Sequence, residues 1–248
     1  MTRANAMSPL SSLLRKPLHS QPNGVKAAAR QLLTELKLAR AGRGSRKAFA
    51  RLRGRTGLKI HLGCGPDIRT GWVNVDLFLG APPTIDPVSQ PDTLLIVHDL
   101  RDGLPLDAQS CEIIYSSHFF EHLSFAHGLK LMTDCYHALQ PGGIFRLVLP
   151  DFRKSFDAYV RNDAAFFALL DDHRLLSRFD PDSRTFVDYI NYIVYQYGEH
   201  VAIYDEEKVA HVLKRLGYRS VVASQHQQGM DPDNELRRKY SFYVEATK

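Results

Sequence analysis

Two glycines, Gly63 and Gly65 in the stretch HLGCGP, follow directly on the apolar run LKIHL, with Cys64 between them. Glycine at such a turn lets the backbone come close to a ligand, because no Cβ stands in the way. Later apolar runs end in groups of suitable chemistry: Asp76 and Leu77 after WVNV, Asp99 and Leu100 after TLLIVH, and Ser117 and His118 at the close of CEIIYSS. A carboxylate at Asp76 can accept both hydroxyls of a ribose diol. Asp99 can accept from an adenine amino group while Leu100 packs on the ring. Taken singly, each acid is more simply a solvated turn residue, so the weight lies in four successive run ends carrying the right chemistry. A nicotinamide site asks for GxGxxG with an acid about 20 residues further on. Here Ile68 takes the third glycine's place, and Asp76 follows Gly63 by only 13 residues. The Gly-Lys-Ser/Thr of a phosphate loop is absent. The pattern therefore favours a ligand with ribose and adenine but no pyrophosphate.

His122, Asp151 and His200 are of residue types able to move a proton as a general base or to bind a polar ligand group. Asp151 ends the fifth apolar run, and His200 precedes the last long helical segment; Glu199 and Tyr204 are weaker choices nearby. His118-Phe-Phe-Glu121-His122 matches the HxxEH of inverted zinc peptidases. That chemistry needs the motif inside a helix with a third ligand downstream, whereas here it follows an apolar strand, so no metal is assigned. For His122 two readings stand side by side: a base, or a purely local hydrogen-bonding residue. No cysteine has the adjacent base or basic cluster of a nucleophile, and Cys64 serves as a small turn residue.

Positioning these groups requires strands. LKIHLG (58–63), WVNVDL (72–77), TLLIVHDL (93–100), CEIIYSS (111–117) and IFRLVLPD (144–151) predict five, with a helix from Phe125 to Leu139 halted by Gln-Pro-Gly-Gly. Asp205 caps a helix that Gly217 closes, and YRSVVASQ and YSFYVEAT read as two final strands. The expected fold is α/β: a Rossmann-like, mostly parallel seven-stranded sheet with flanking helices and ligand chemistry at the strand C-termini. Only six residues separate Gly65 from Trp72, too few for a crossover helix. The segment 152–200 is predicted to be a helical insert on the acceptor side. It holds 11 of the 25 aromatic residues, among them Phe179, which either bury a core of their own or line the acceptor pocket.

The whole chain of 248 residues carries a net charge of +5, but residues 1–57 hold 13 Lys and Arg against the single acid Glu35. The basic character thus belongs to an N-terminal arm (1–56), and the domain that follows (57–248) is mildly acidic. Residues 1–24 are expected to be disordered, Val25 to about Arg40 to be helical, and AGRGS (41–45) to break that helix. Three readings of the arm remain open: a helix packed on the body, contact with anionic lipid, and RNA binding. Three widely spaced cysteines, the lack of a secretory signal and the lack of an 18-residue apolar run predict a cytoplasmic protein.

HLGCGPDIRTGWVNVDL, HDLRDGLPLD, CEIIYSSHFFEHL, LQPGGIFRLVLPD and HVAIYDEEKVAHVLKRLGY resemble, in order, the motifs of class I S-adenosylmethionine-dependent methyltransferases. They are most similar to bacterial methyltransferases of the type 11 kind associated with cell-surface polysaccharide synthesis. The resemblance spans about residues 58–248. It implies S-adenosylmethionine as cofactor, its methionine moiety at Gly63, Cys64 and Gly65, its ribose at Asp76 and its adenine beside Asp99 and Leu100. Glu121 and His122 would then face cofactor and acceptor. His61 departs from the pattern, since many such enzymes carry an acid there. The implied reaction is O-methylation of a glycan or other small hydroxylated acceptor, with the arm touching the inner face of the membrane. The alternatives are an RNA methyltransferase anchored by the arm and a module that binds the cofactor without transfer.

Overall fold

The computed structural model describes residues 24–78, 82–172, 176 and 185–248. The expectation of disorder over most of 1–24, and Phe179, lie outside these. The sheet contains β1 (Leu58–Leu62), β2 (Val73–Asp76), β3 (Leu94–Val97), β4 (Cys111–Ser117), β5 (Leu139–Pro150), β6 (Ser220–Ser224) and β7 (Ser241–Thr247). Their order is β3-β2-β1-β4-β5-β7-β6, parallel from β3 to β5, with β7 antiparallel to both of its neighbours. This is the expected mostly parallel, Rossmann-like sheet. Strand order reverses between β1 and β4, and a crevice opens at the C-terminal ends of strands where such a reversal occurs.

Helices α1 (Gly24–Ala50), α2 (Phe125–Ala138) and α6 (Glu206–Leu216) contribute to one core with the strands. In α2 the buried residues Gly128, Leu131, Met132, Cys135 and Ala138 recur at three- and four-residue spacing, which lays one apolar stripe on the sheet. Ser124 caps its start by accepting from the His127 amide. Asp205 caps α6 by accepting from the Lys208 amide at 2.7 Å, and Gly217 closes it at φ +100°. Strand β5 begins at Leu139, so Gln140 to Gly143 belong to the strand that follows α2.

The break expected at 41–45 does not occur: α1 runs through Gly42 and Gly44 to Ala50. Two interior glycines cost about 1 kcal/mol each, but the last turns of α1 are held by packing. Ser45 and Phe49 are buried, Ser45 Oγ lies 3.1 Å from His98 Nδ1, and Phe49 meets the His98 ring edge-on. Further toward its N-terminus the helix leaves Val25, Leu32 and Leu36 exposed. Among the described residues no helix is long and apolar enough to cross a membrane.

The insert folds into α3 (Phe152–Val160), α4 (Ala164–Asp172) and α5 (Phe186–Tyr195) around its own core of Phe152, Ala158, Phe167, Leu170 and Ile193. Tyr240 joins that core from α7 (Glu235–Tyr240), a short helix with no counterpart in the sequence reading.

The register sets a second face apart. Asn74, His61, Tyr115, Arg146 and Glu245 are aligned across β2, β1, β4, β5 and β7. Strand alternation puts them opposite the apolar row of Val75, Leu62, Leu147 and Val244. Arg69, from the loop that replaces the first crossover helix, stacks over the Tyr115 ring at 3.8 Å. Arg146 is 1% exposed and bonds Asp231 (3.0 Å from Nε), Glu245 (2.6 Å) and the Gln225 carbonyl (2.7 Å). These bonds pin the segment between β6 and α7 to the sheet.

Candidate active site

Both glycines of the first turn take left-handed backbone, Gly63 at φ +63° and Gly65 at φ +51°. A Cβ on Gly63 would come within 2.2 Å of the Phe119 ring, whereas one on Gly65 would meet no protein atom within 4 Å. Gly63 is thus required by packing, and Gly65 keeps its side of the turn open. His118, at the end of β4, also adopts positive φ (+51°). For a side-chain-bearing residue this costs about 1–2 kcal/mol, and it swings the chain so that Phe119 and His122 border the crevice.

A cavity of about 430 Å³ opens there. Gly63, Cys64, Gly65, Asp76, Ser117, His118 and His122 line it, together with His61, Phe119, Asn234 and Arg237. A second cavity of about 290 Å³ shares Phe119 and His122 with the first and is lined by Leu77, Asp99, Leu100 and Leu123. The structure therefore gathers every cofactor-side residue expected from the sequence around two adjoining cavities.

Asp76 accepts from the Gly65 amide at 2.6 Å and from the Leu77 amide at 2.5 Å, which fixes its carboxylate at the end of β2 with lone pairs to spare. Asp99 caps a short turn and is held by a two-pronged bond from Arg101, 2.9 and 3.0 Å from Nε. Burial raises its pKa, but the Arg101 hydrogen bonds outweigh that and keep it below the ordinary value. The Cys64 thiol is pushed up to about 12 by burial and then by Asp76, so no thiolate forms near neutrality. His61 is lowered to about 3 by burial and by Arg69, and stays neutral.

Arg237 had no signal in the sequence reading. It reaches from α7 to donate to Ser117 Oγ at 2.7 Å, bridging 120 residues of chain, and places a guanidinium on the cavity wall. The Asn234 cap that starts α7 is the sequence feature that could have placed it.

The proton-handling residues separate. His122 borders both cavities; its Nδ1 lies 3.0 Å from the Glu199 carbonyl, which fixes the proton on Nδ1 and leaves a lone pair on Nε2. Burial lowers its pKa and favours the neutral ring. His200 stands behind it, ring centroids 4.9 Å apart, with Nδ1 2.8 Å from the Ile193 carbonyl. Burial, then His122, lowers His200 to about 4. Asp151 is not brought to these cavities. It caps α3 by accepting from the Lys154 amide, pairs with Lys154 Nζ at 3.0 Å, and lines a separate depression with Asp205 and Glu206. An acid directly before a helix is an N-cap, and that role turns its carboxylate into the helix. Glu199 contributes its carbonyl to His122, while its carboxylate accepts from Gln196.

HFFEH lies on a strand end and a single 3-10 turn (Phe120–His122), outside any α-helix. Glu121 is fully buried, neither carboxylate oxygen has a hydrogen-bond partner, and His118 Nδ1 is 3.6 Å away. Burial pushes the Glu121 carboxyl up to about 8. The buried Tyr204 hydroxyl is also without a partner.

Residues 61–147 match the family described as methyltransferase domain. Among curated proteins none matches this chain. Similar solved structures include a SAM-dependent methyltransferase from Archaeoglobus fulgidus, at 16% identity and TM-score 0.45, covering 86% of this chain and 94% of that one. A possible histamine N-methyltransferase from Thermotoga maritima is 12% identical at TM-score 0.43, covering 89% and 96%. A Haemonchus contortus phosphoethanolamine N-methyltransferase 2, solved with S-adenosylhomocysteine and phosphomonomethylethanolamine, is 11% identical at TM-score 0.43, covering 81% and 51%. The family match thus places a methyltransferase domain within residues 61–147 of the chain.

Proposed function

We propose that this chain is an S-adenosylmethionine-dependent methyltransferase that acts on oxygen, with a glycan or another small hydroxylated molecule as acceptor. The observation that carries this reading is His122. It borders both cavities as a neutral imidazole whose Nδ1 is tied to a backbone carbonyl, leaving Nε2 able to take a proton. The residues present fit the cofactor. Asp76 would hold the ribose diol, and Leu77, Leu100 and Phe119 with Asp99 at their edge would hold the adenine. Arg237 is the cation on the wall able to meet the methionyl carboxylate. When bound, the cofactor supplies a methyl group on a sulfonium, which passes to the acceptor oxygen as the S–C bond breaks and the acceptor proton departs.

The chain's part is alignment and proton removal. Phe119 and His122 stand where the two cavities join, so an acceptor oxygen beside them is within reach of the imidazole. The glycan reading draws on the resemblance of the motifs to methyltransferases of polysaccharide synthesis. We assign the basic α1 helix to contact with an anionic membrane surface: its exposed Val25, Leu32 and Leu36 sit in a segment rich in Lys and Arg.

Calorimetry with S-adenosylmethionine, S-adenosylhomocysteine and NAD as control tests the cofactor site. Micromolar binding of the first two is expected, about −8 kcal/mol, with a loss of ten- to a hundredfold in Asp76→Ala. Unchanged affinity in that variant refutes the placement. Labelled methyl transfer to oligosaccharide pools, abolished in His122→Ala, tests the acceptor; transfer to nitrogen alone refutes it. Cosedimentation with anionic vesicles tests the helix, and salt-sensitive binding to RNA but not to vesicles overturns that assignment.

A further inference from the structure

One carboxylate oxygen of Glu121 and one ring nitrogen each of His122 and His200 lie within 4.8 Å of one another. Three observations distinguish this group from an ordinary buried polar cluster. Glu121 is 0% exposed, yet neither of its oxygens has a hydrogen-bond partner. Buried polar groups are normally satisfied, and an exception points to a missing partner. Both histidines commit Nδ1 to a backbone carbonyl, His122 to Glu199 and His200 to Ile193. A carbonyl can only accept, so each Nδ1 carries the proton and each Nε2 keeps its lone pair; that of His200 is buried without a partner. Outer hydrogen bonds of this kind fix the tautomer of metal-binding imidazoles. The scaffold is also tied together, because the Glu121 carbonyl accepts from the amides of Val201 and Ala202, which seats His200 against the turn carrying the other two groups.

We propose that Glu121, His122 and His200 bind a divalent transition-metal cation. Two imidazoles and one carboxylate suit such an ion and leave coordination positions open to a further ligand. Bonds of about 2.0–2.2 Å in a tetrahedral arrangement hold ligand atoms about 3.5 Å apart, so the most distant pair closes by about 1 Å on binding. The cation supplies the partner that the Glu121 carboxylate lacks. His122 brings the cation to the junction of the two cavities, so an open position directed there polarises an acceptor hydroxyl and eases loss of its proton to water. His122 then holds the cation in place of a proton. That role rests on the reading of transfer to oxygen; the cation site does not.

The test uses full-length protein freed of metal by a chelator and titrated with Co2+, followed by its visible absorption. Zn2+ and Mn2+ are titrated by calorimetry, with Mg2+ as control. One equivalent is expected to bind with a micromolar or lower dissociation constant and to raise the melting temperature. Glu121→Gln and His200→Ala should each weaken binding at least tenfold and abolish the metal-dependent rise, while circular dichroism confirms that they fold. His122→Ala, at the least buried of the three, keeps the test valid if His200→Ala does not fold. No binding by the folded wild type, or binding that all three variants retain, overturns the proposal. S-adenosylhomocysteine calorimetry on the same samples separates the two readings: lost cofactor binding with intact metal binding sinks the cofactor placement and leaves the cation site standing.

Discussion

On one face of the sheet Ile60, Leu62, Val75, Ile114, Phe145, Leu147 and Val244 share a core with the end of α1, with α2 and with α6. On the other, Asn74, His61, Tyr115, Arg146 and Glu245 form a polar row over which lie the segments 66–72 and 225–231. The apolar face is sealed by many weak contacts, each replaceable at modest cost. The polar face is sealed by a few strong ones, the Arg69 guanidinium on Tyr115 and Arg146 among Asp231, Glu245 and Gln225, beside a small apolar cluster of Tyr115, Val148, Tyr243, Trp72 and Met230. The polar-face segments also carry or lead into cavity walls, Pro66 and Asp67 on one side and Pro232, Asn234 and Arg237 on the other. Stability and site geometry are therefore coupled on the polar face and more loosely so on the apolar one, where Leu100 and Leu123 of the core line the second cavity.

Arg146→Met is the harshest test of that contrast. It strands Asp231 and Glu245 without their cation, and urea denaturation should show a loss of about 3–5 kcal/mol. Affinity for S-adenosylhomocysteine should fall as well, because the segment leading to Arg237 is released. A cost under about 1 kcal/mol would mean the polar face is held by something else. One position along the same strand, Leu147→Ala should cost about 3 kcal/mol yet leave that affinity unchanged in the folded protein. His61 extends the comparison to pH. Its folded pKa of about 3 lies below the ordinary 6.5, so the unfolded chain takes up the proton first. The stability is fully present above pH 6.5 and drains as pH falls from there toward 3. At pH 4.5 about 2–3 kcal/mol should be gone on account of this ring, and the denaturation midpoints of His61→Gln should show a correspondingly shallower pH dependence. The smallest effect belongs to the apolar side: Asp205→Ala removes the α6 cap for about 1 kcal/mol and leaves cofactor affinity untouched.

The same division governed what could be read in the sequence. Apolar alternation marked the strands because burial of one face imposes a period of two, and the Asp205 cap and Gly217 stop follow from local backbone chemistry. The glycine turn, Asp76, Asp99 and Ser117 were legible as strand-end residues, and they meet at the cavities because a parallel sheet brings its strand ends together, whereas His122 was legible only through the resemblance of its motif. Long-range pairing has no local signature. Nothing near Arg237 announces Ser117, nothing near Arg146 announces Asp231, and the two glycines of α1 read as a break until Phe49 is seen packed on His98. Asp151 shows the converse: its place at a strand end suggests the acceptor side, while in the fold it caps the helix beginning at Phe152 and lines a separate depression.

Strand β7 is seventh in the chain yet sits between β5 and β6, bonded to both. During synthesis β5 is delivered well before its neighbour β7, whereas β6 precedes β7 only narrowly, and until residues 241–247 are in place β5 flanks an unfilled slot. Its edge then offers a row of unpaired amides and carbonyls to any other extended chain. The nascent protein thus passes through an interval of heightened susceptibility to misassociation that ends abruptly when the last strand is inserted.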